Sequence, residues 1–260
     1  MRKRIGAVMV LVVLINSVAF AMTADEIVNR ASLASYYQGD DGRANIHMII
    51  TDSQGRTRER DMTILKLDLE ENGEQRYYVY FHKPSDVEGM AYLVWKHPGR
   101  DDDRWLYLPA LDLVRRVASS DKRSSFVGSH FAYEEISGRG PEEDTHKIKT
   151  EDEKYYVIES VPEDPGSVEF SYFLTWVDKK NFLPMKAELY DKNGKHYKTI
   201  EALEVKQVQN FPTITRMKAT DLNSGGNTVS ETSNIEYNAD IQEDVFSERF
   251  LRRPPRKHIR

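Results

Sequence analysis

From residue 44 apolar and polar positions begin to follow a two-residue period. Ala44, Ile46, Met48 and Ile50 alternate with polar neighbours, the pattern of a half-buried strand. Asp52-Ser53-Gln54-Gly55 is turn chemistry. Thr57 to Leu67 reads as the return strand, with Arg60, Met62 and Ile64 on one face. After the Asn72-Gly73 turn, Arg76–Phe81, Met90–Lys96 and Arg104–Leu108 are apolar on both faces, which predicts strands covered on both sides. Strands resume at Tyr155–Val161, Val168–Asp178, Pro184–Tyr190, His196–Val208, Thr213–Leu222 and Thr228–Tyr237. Asp191-Lys192-Asn193-Gly194 and Asn223-Ser224-Gly225-Gly226 mark hairpin turns.

Four segments break this period. Thr23-Ala24-Asp25-Glu26 is a capping box followed by Ile27, Val28, Ala31 and Ala34 at helical spacing, so a short helix opens the mature chain. Ser119 to Ile136 sets Phe126, Phe131, Tyr133 and Ile136 among small residues and predicts a covering segment with short helical turns. Ser137 to Thr150 is polar and reads as an exposed loop, and Ile241 to Leu251 as a closing turn that tucks in Phe246 and Leu251. About 10–11 strands joined by short turns must curl, close or be covered. The predicted fold is mainly β with short helices (α+β): one domain over residues 22–260, an antiparallel meander curved around its helices.

The N-terminus changes the picture of where the chain works. Arg2, Lys3 and Arg4 precede an apolar run, and Ala19-Phe20-Ala21 is an A-x-A site, so residues 1–21 read as a secretory signal peptide cleaved after Ala21. The chain contains no cysteine, so neither a disulfide nor a lipid-anchored N-terminal cysteine is expected, and the mature protein is expected in the periplasm. The whole sequence has 37 basic and 42 acidic residues; the leader takes away three basic residues and no acidic one, leaving 34 against 42, a formal net charge of −8. That disfavours bulk binding to nucleic acid or to anionic lipid headgroups. Local basic clusters remain at Arg115-Arg116, at Lys122-Arg123 and in the tail from Arg252 to Lys257.

Catalytic patterns are scarce. None of the seven histidines pairs with another at metal-ligand spacing, so no metal and no cofactor is expected. G-x-S-x-G, P-loop and G-x-G-x-x-G motifs are absent, and Ser129-His130 are mere sequence neighbours. Asp101-Asp102-Asp103 reads as a solvated turn. Glu134-Glu135 is a carboxylate pair of the kind glycosidases use, but its required separation is not a sequence property. A curved sheet rich in aromatics and poor in catalytic groups suggests binding. Trp95, Trp105, Trp176, Tyr78, Tyr80, Tyr92, Tyr107, Phe126, Phe131 and Phe173 either line a cavity or form ordinary core.

Four blocks carry a resemblance: YFHKPSDVEGMAYLVW, DRWLYLPALDLVRRV, SSFVGSHFAYEEI and PMKAELYDKNGKHYKTI, with SNIEYNADIQEDVFSERFL closing the chain. In this order they resemble the outer-membrane lipoprotein-sorting protein family, the LolA-like periplasmic proteins, from about Ala24 to Leu251. The resemblance implies an unclosed antiparallel β-barrel of the LolA/LolB type whose concave face is apolar and covered by short helices. It implies a monomeric carrier, not an enzyme, that binds acyl chains of a lipoprotein or lipid for transport toward the outer membrane. An RND/MMPL-type inner-membrane exporter or an outer-membrane acceptor would be its partner. Without an N-terminal cysteine the chain looks like the soluble shuttle of that fold, not its lipid-anchored receptor. Two departures stand out: His130 occupies a position where the family more often has aspartate, and the chain is longer than the founding carrier.

On this reading Trp105, Leu106, Tyr107 and Leu108 form a cavity wall, joined by Tyr92 and Phe173. Phe126, Phe131 and Tyr133 form a cover with Gly128 as hinge. Arg115, Arg116 and Lys122 are candidates for a headgroup or partner contact, or else a solvated strand end. Two other functions stay open: a non-carrier interaction or sensor module of the cell envelope, and an envelope hydrolase built on Glu134 or Glu135.

Overall fold

The computed structural model describes residues 21–70 and 73–259, so the leader expected at residues 1–21 lies almost wholly outside it. Thr23 caps helix α1 (Ala24–Tyr36): its hydroxyl accepts from the Glu26 amide at 3.2 Å, and Glu26 accepts from the Thr23 amide at 2.8 Å. Strands β1 (Asp41–Thr51), β2 (Thr57–Asp68), β3 (Gln75–Lys83), β4 (Ala91–Lys96), β5 (Asp103–Leu108) and β6 (Leu113–Arg116) follow as a meander. After a long connection containing α2 (Glu134–Ser137), a second meander runs through β7 (Asp144–Glu151), β8 (Tyr155–Pro162), β9 (Phe170–Asp178), β10 (Pro184–Asp191), β11 (His196–Val208), β12 (Phe211–Asp221) and β13 (Asn227–Tyr237). Helix α3 (Arg249–Arg252) lies near the end.

The thirteen strands of the described residues form one antiparallel sheet in the order β6-β5-β4-β3-β2-β1-β13-β12-β11-β10-β9-β8-β7. The first and last strands pair at its centre, with Ile46 opposite Thr232 and Met48 opposite Ser230. The consequence is topological. β6 and β7 are the two outer edges, so residues 117–143 must travel from one edge of the sheet to the other. They do so across the concave face.

Thirteen strands replace the 10–11 expected, and the two missed ones are β6 and β7. An edge strand has one neighbour and little cover, so its side chains need not alternate. β7 is almost wholly exposed along Thr145–Glu151, and this is why Ser137–Thr150 looks like a loop in the sequence.

Two faces of β2–β5 are buried against different things. On the concave side Met62, Tyr77, Val79, Phe81, Tyr92, Val94 and Leu106 pack against Phe126, Phe131 and Tyr133 of the connector. On the outer side Leu65, Tyr78, Leu93 and Trp105 pack under the C-terminal segment, which contributes Ile241, Val245, Phe246, Leu251 and Ile259. Tyr78 donates to the Phe250 carbonyl at 2.9 Å and Trp95 to the Phe246 carbonyl at 2.7 Å, so the segment is tied down by polar as well as apolar contacts. Double cover explains the doubly apolar sequences of these strands.

Helix α1 closes the other half. Ile27 and Ala31 bury against Ile158 and Val177 of β8 and β9. Its last turn meets the connector at Gly138, whose φ is +77°. A Cβ there would stand 2.5 Å from the Tyr36 ring, and the Gly138 carbonyl accepts from Lys96 Nζ at 2.7 Å. Both the backbone angle and the space demand glycine. Gly138→Ala is expected to lower stability by about 1–3 kcal/mol, read as a lower thermal midpoint.

Candidate functional site

The concave face is filled on one side and hollow on the other. Over β3–β5 the inward side chains are large, and the connector rings drop among them. Phe126 lies 5.7 Å from Phe81, 5.6 Å from Tyr92 and 5.4 Å from Tyr133 between ring centroids. Over β1, β10, β11 and β13 small inward residues stand among the aliphatic ones: Ala44, Ala187, Ala202, Ser230 and Thr232. Small side chains beneath a roof leave space, and a cavity of about 450 Å³ remains. Most of its wall is aliphatic (Ile46, Met48, Met62, Ile64, Val79, Ile200, Ile214, Met217 and Ile235), and Arg43, Lys66, Glu135, Lys186 and Glu236 also border it. Phe126, Phe131 and Ile136 of the connector close it from above, and Ala34, Ser35 and Tyr36 of α1 border it.

Several candidates from the sequence take other places. Trp105 and Tyr107 face outward, in the cluster under the C-terminal segment; a single step of the two-residue strand period separates them from Leu106, which faces inward. Leu106 and Leu108 belong to the filled part of the concave face, as do Tyr92 and Tyr133, and none of the four borders the cavity. Phe173 packs with Phe170, Val168 and Leu189 in a separate cluster. Gly128, at φ +80°, makes a turn in the connector beside Arg58. Arg115 and Arg116 stand exposed on β6. Lys122 is not exposed: it is buried, 3.0 Å from Glu134 and 2.9 Å from Glu143, and so is not free to meet a headgroup. The cavity residues that the sequence reading missed are aliphatic and small, and their only signal was their parity along β1, β11, β12 and β13.

The connector is held by charge. Glu134 is 1% exposed and contacts Lys122 at 3.0 Å, Arg123 at 3.2 Å and Arg139 at 3.4 Å. Arg123 also reaches Glu135 at 3.3 Å and Glu169 at 2.8 Å, joining the connector to the base of β9. Lys198 on β11 grips both oxygens of Glu135 at 2.7 and 2.8 Å. Arg139 adds Glu143 and Asp144, each at 2.8 Å. At the far side, the His130 amide donates to Thr228 Oγ1 at 3.0 Å, and the ring Nδ1 lies 2.8 Å from the same hydroxyl. The roof is thus fastened to β9, β11 and β13.

The second polar feature borders the cavity under the C-terminal end of α1. Lys66 Nζ donates to the carbonyls of Tyr36, Gln38 and Gly39, each at 3.1 Å, and to Asp68 at 2.9 Å. The Tyr36 carbonyl is one that the helix end leaves unpaired, and those of Gln38 and Gly39 belong to the turn that follows. Burial pushes the Lys66 ammonium below its ordinary value, although Asp68 works against this.

Acid should loosen the roof. Burial alone would raise Glu169, but Arg123 and the Tyr197 hydroxyl outweigh it and hold the carboxyl at about 2. Glu143 is likewise lowered, against its burial, by Arg139 and Lys122. For a carboxyl lowered in the folded state, the stabilisation is complete above the ordinary value of 4.5 and is lost as pH falls toward the folded value. Asp144, raised by burial in spite of Arg139, acts in the opposite sense. The thermal midpoint is therefore expected to fall as pH drops from 4.5 toward 2. Glu169→Gln should flatten that part of the curve, as followed by melting at each pH.

Among the described residues no group of three or more His, Asp and Glu is placed to hold a metal ion, and no helix is long and apolar enough to cross a membrane. Glu134 and Glu135 are both engaged by cations, as described above.

The family profile that matches the chain, over residues 73–253, is described as an uncharacterized protein. A DUF1329 family protein from Desulfovibrio piger superposes with a TM-score of 0.82 at 25% identity, covering 88% of this chain and 97% of that one. A domain from Vibrio parahaemolyticus, described as an outer membrane lipoprotein-sorting protein, is 30% identical with a TM-score of 0.80, covering 88% and 98%. A LolA superfamily protein from Nitrosomonas europaea shares the fold at 23% identity, with a TM-score of 0.69 and coverage of 88% and 100%. No curated protein matches the chain.

Proposed function

Because the chain belongs to the outer-membrane lipoprotein-sorting protein family, the LolA-like proteins, we propose that it is a periplasmic carrier whose hollow takes acyl chains of a lipoprotein or a lipid. The observation that supports this most is the aliphatic hollow of about 450 Å³ beside a fully packed region of the same face. A core meant only for stability would be filled throughout, as β3–β5 are. An acyl chain asks for little else. Each methylene moved from water into such a site contributes about 0.8 kcal/mol, without any directional bond.

The connector is the cover in this reading. Phe126 and Phe131 border the hollow, and the ion pairs of Arg123 and Lys198 hold the cover closed. Loading requires that part of this fastening let go. An outer-membrane acceptor receives the cargo, and an RND-type exporter at the inner membrane is the candidate donor.

The test is titration of the mature protein with a fluorescent fatty acid, followed by displacement with unlabelled lipids. Saturable uptake of about one chain per protein, with emission shifted as in an apolar solvent, supports the carrier. No uptake by protein that has been stripped of lipid would favour a non-carrier interaction module.

A further inference from the structure

The hairpin joining β5 to β6 ends in Pro109-Ala110-Leu111-Asp112. Leu111 is 69% exposed, the highest value for a large apolar residue among those described, and Leu113 is 45% exposed. One exposed leucine is ordinary. Here two stand at a tip with a fixed shape. Pro109–Leu111 form a single helical turn, Asp112 takes a left-handed φ of 43°, and Leu113 pairs with Leu108 as the strand resumes.

Guanidinium groups flank this tip on both faces of the sheet. Arg115 follows Leu113 at the two-residue strand spacing and therefore stands on the same face. From the other face, Arg252 of α3 reaches Asp112 Oδ1 at 2.9 Å and lies 5.7 Å over the Tyr107 ring. Arg253 is exposed beside it, and Arg116 is exposed on β6. Against these four cations stand Asp112 and Asp103, the partners of Arg252 and Arg116. The patch is net positive on a chain whose formal charge is −5.

We propose that the β5–β6 tip is a membrane-docking surface, with Leu111 and Leu113 entering the headgroup region of an anionic bilayer and the arginines meeting its phosphates. Apolar side chains ringed by basic groups are the combination that holds a protein on such a surface. Each basic group near an anionic bilayer raises partition about fivefold. The tip leads directly to the roof: Val117, just after Arg116, begins the connector and donates to the Arg104 carbonyl at 2.9 Å. Docking would therefore seat the roof beside the bilayer. This surface is separate from the hollow, and the proposal does not depend on what the hollow holds.

The experiment is co-sedimentation of the mature protein with phosphatidylglycerol–phosphatidylcholine vesicles and with phosphatidylcholine vesicles, over a range of salt. The wild type is expected to bind the anionic vesicles, more weakly as salt rises. Leu111→Asp with Leu113→Asp is expected to lower that partition by about tenfold or more, because a surface leucine is replaced by a charge of the bilayer's own sign. Arg115→Gln should reduce binding and its salt dependence. Met217→Asp in the hollow should leave vesicle binding unchanged even where it stops acyl uptake. Equal binding by the wild type and the double leucine variant, with both melting alike, would overturn the proposal. So would a wild type that ignores anionic vesicles, which would leave the tip to a protein partner.

Discussion

Met217→Asp is expected to cut acyl-chain affinity by about a hundredfold or more while the sheet stays folded. Met217 lines the hollow from β12, between Ala202 on β11 and Ser230 on β13, and is only partly buried. In the empty protein a carboxylate there can keep water. A bound acyl chain would strip that water and leave the charge without a partner, at a cost of several kcal/mol. About 2.7 kcal/mol corresponds to the hundredfold loss. The thermal midpoint of the empty protein should move little by comparison. Fluorescent fatty-acid titration beside a melting curve separates the two effects. A hundredfold loss with the melt preserved locates binding in the hollow, and unchanged affinity would place it elsewhere.

The second large effect concerns stability. Glu134→Ala is expected to destabilise the protein by about 3–5 kcal/mol, because it takes one counter-charge from each of three buried cations at once. Lys122, Arg123 and Arg139 all converge on Glu134, and all three side chains are largely buried. For a chain of this size the loss corresponds to a fall of roughly 10 °C in thermal midpoint. Glu134→Gln keeps the shape and an acceptor oxygen and should lose less. If calorimetry shows both variants melting with the wild type, the ion network is not what fastens the connector.

The meander was legible wherever a strand has two neighbours and one clear inside. Ala44, Ile46, Met48 and Ile50 alternate because one face of β1 lines the concave side. β3–β5 announced their double cover through unbroken apolar runs, which the C-terminal segment and the connector explain. The connector itself was legible as a break in period, and its three rings do pack onto the concave face.

The site was less legible, and the reason is physical. A filled core is written in large residues, whereas this hollow sets small residues among its aliphatic ones. Aromatic content pointed to Trp105, Tyr107 and Tyr92, which fill space on one face or the other. The hollow lies over Ala44, Ala187, Ala202 and Ser230, residues that in isolation look like ordinary strand positions. Recognising them requires knowing that β1 pairs with β13, a contact between the two ends of the chain that no local pattern encodes. Lys122 failed as a surface group for a related reason. Its partners Glu134 and Glu143 become neighbours only when the connector folds back on itself.

The central claim is that the hollow carries an acyl chain, and the most direct measurement is native mass spectrometry of gently purified mature protein, followed by lipid extraction. A population heavier than the apo mass by one acyl-containing molecule, absent from Met217→Asp, is the predicted result. A single apo mass for both proteins, with no acyl lipid in the extract and no uptake of added fatty acid, would contradict it.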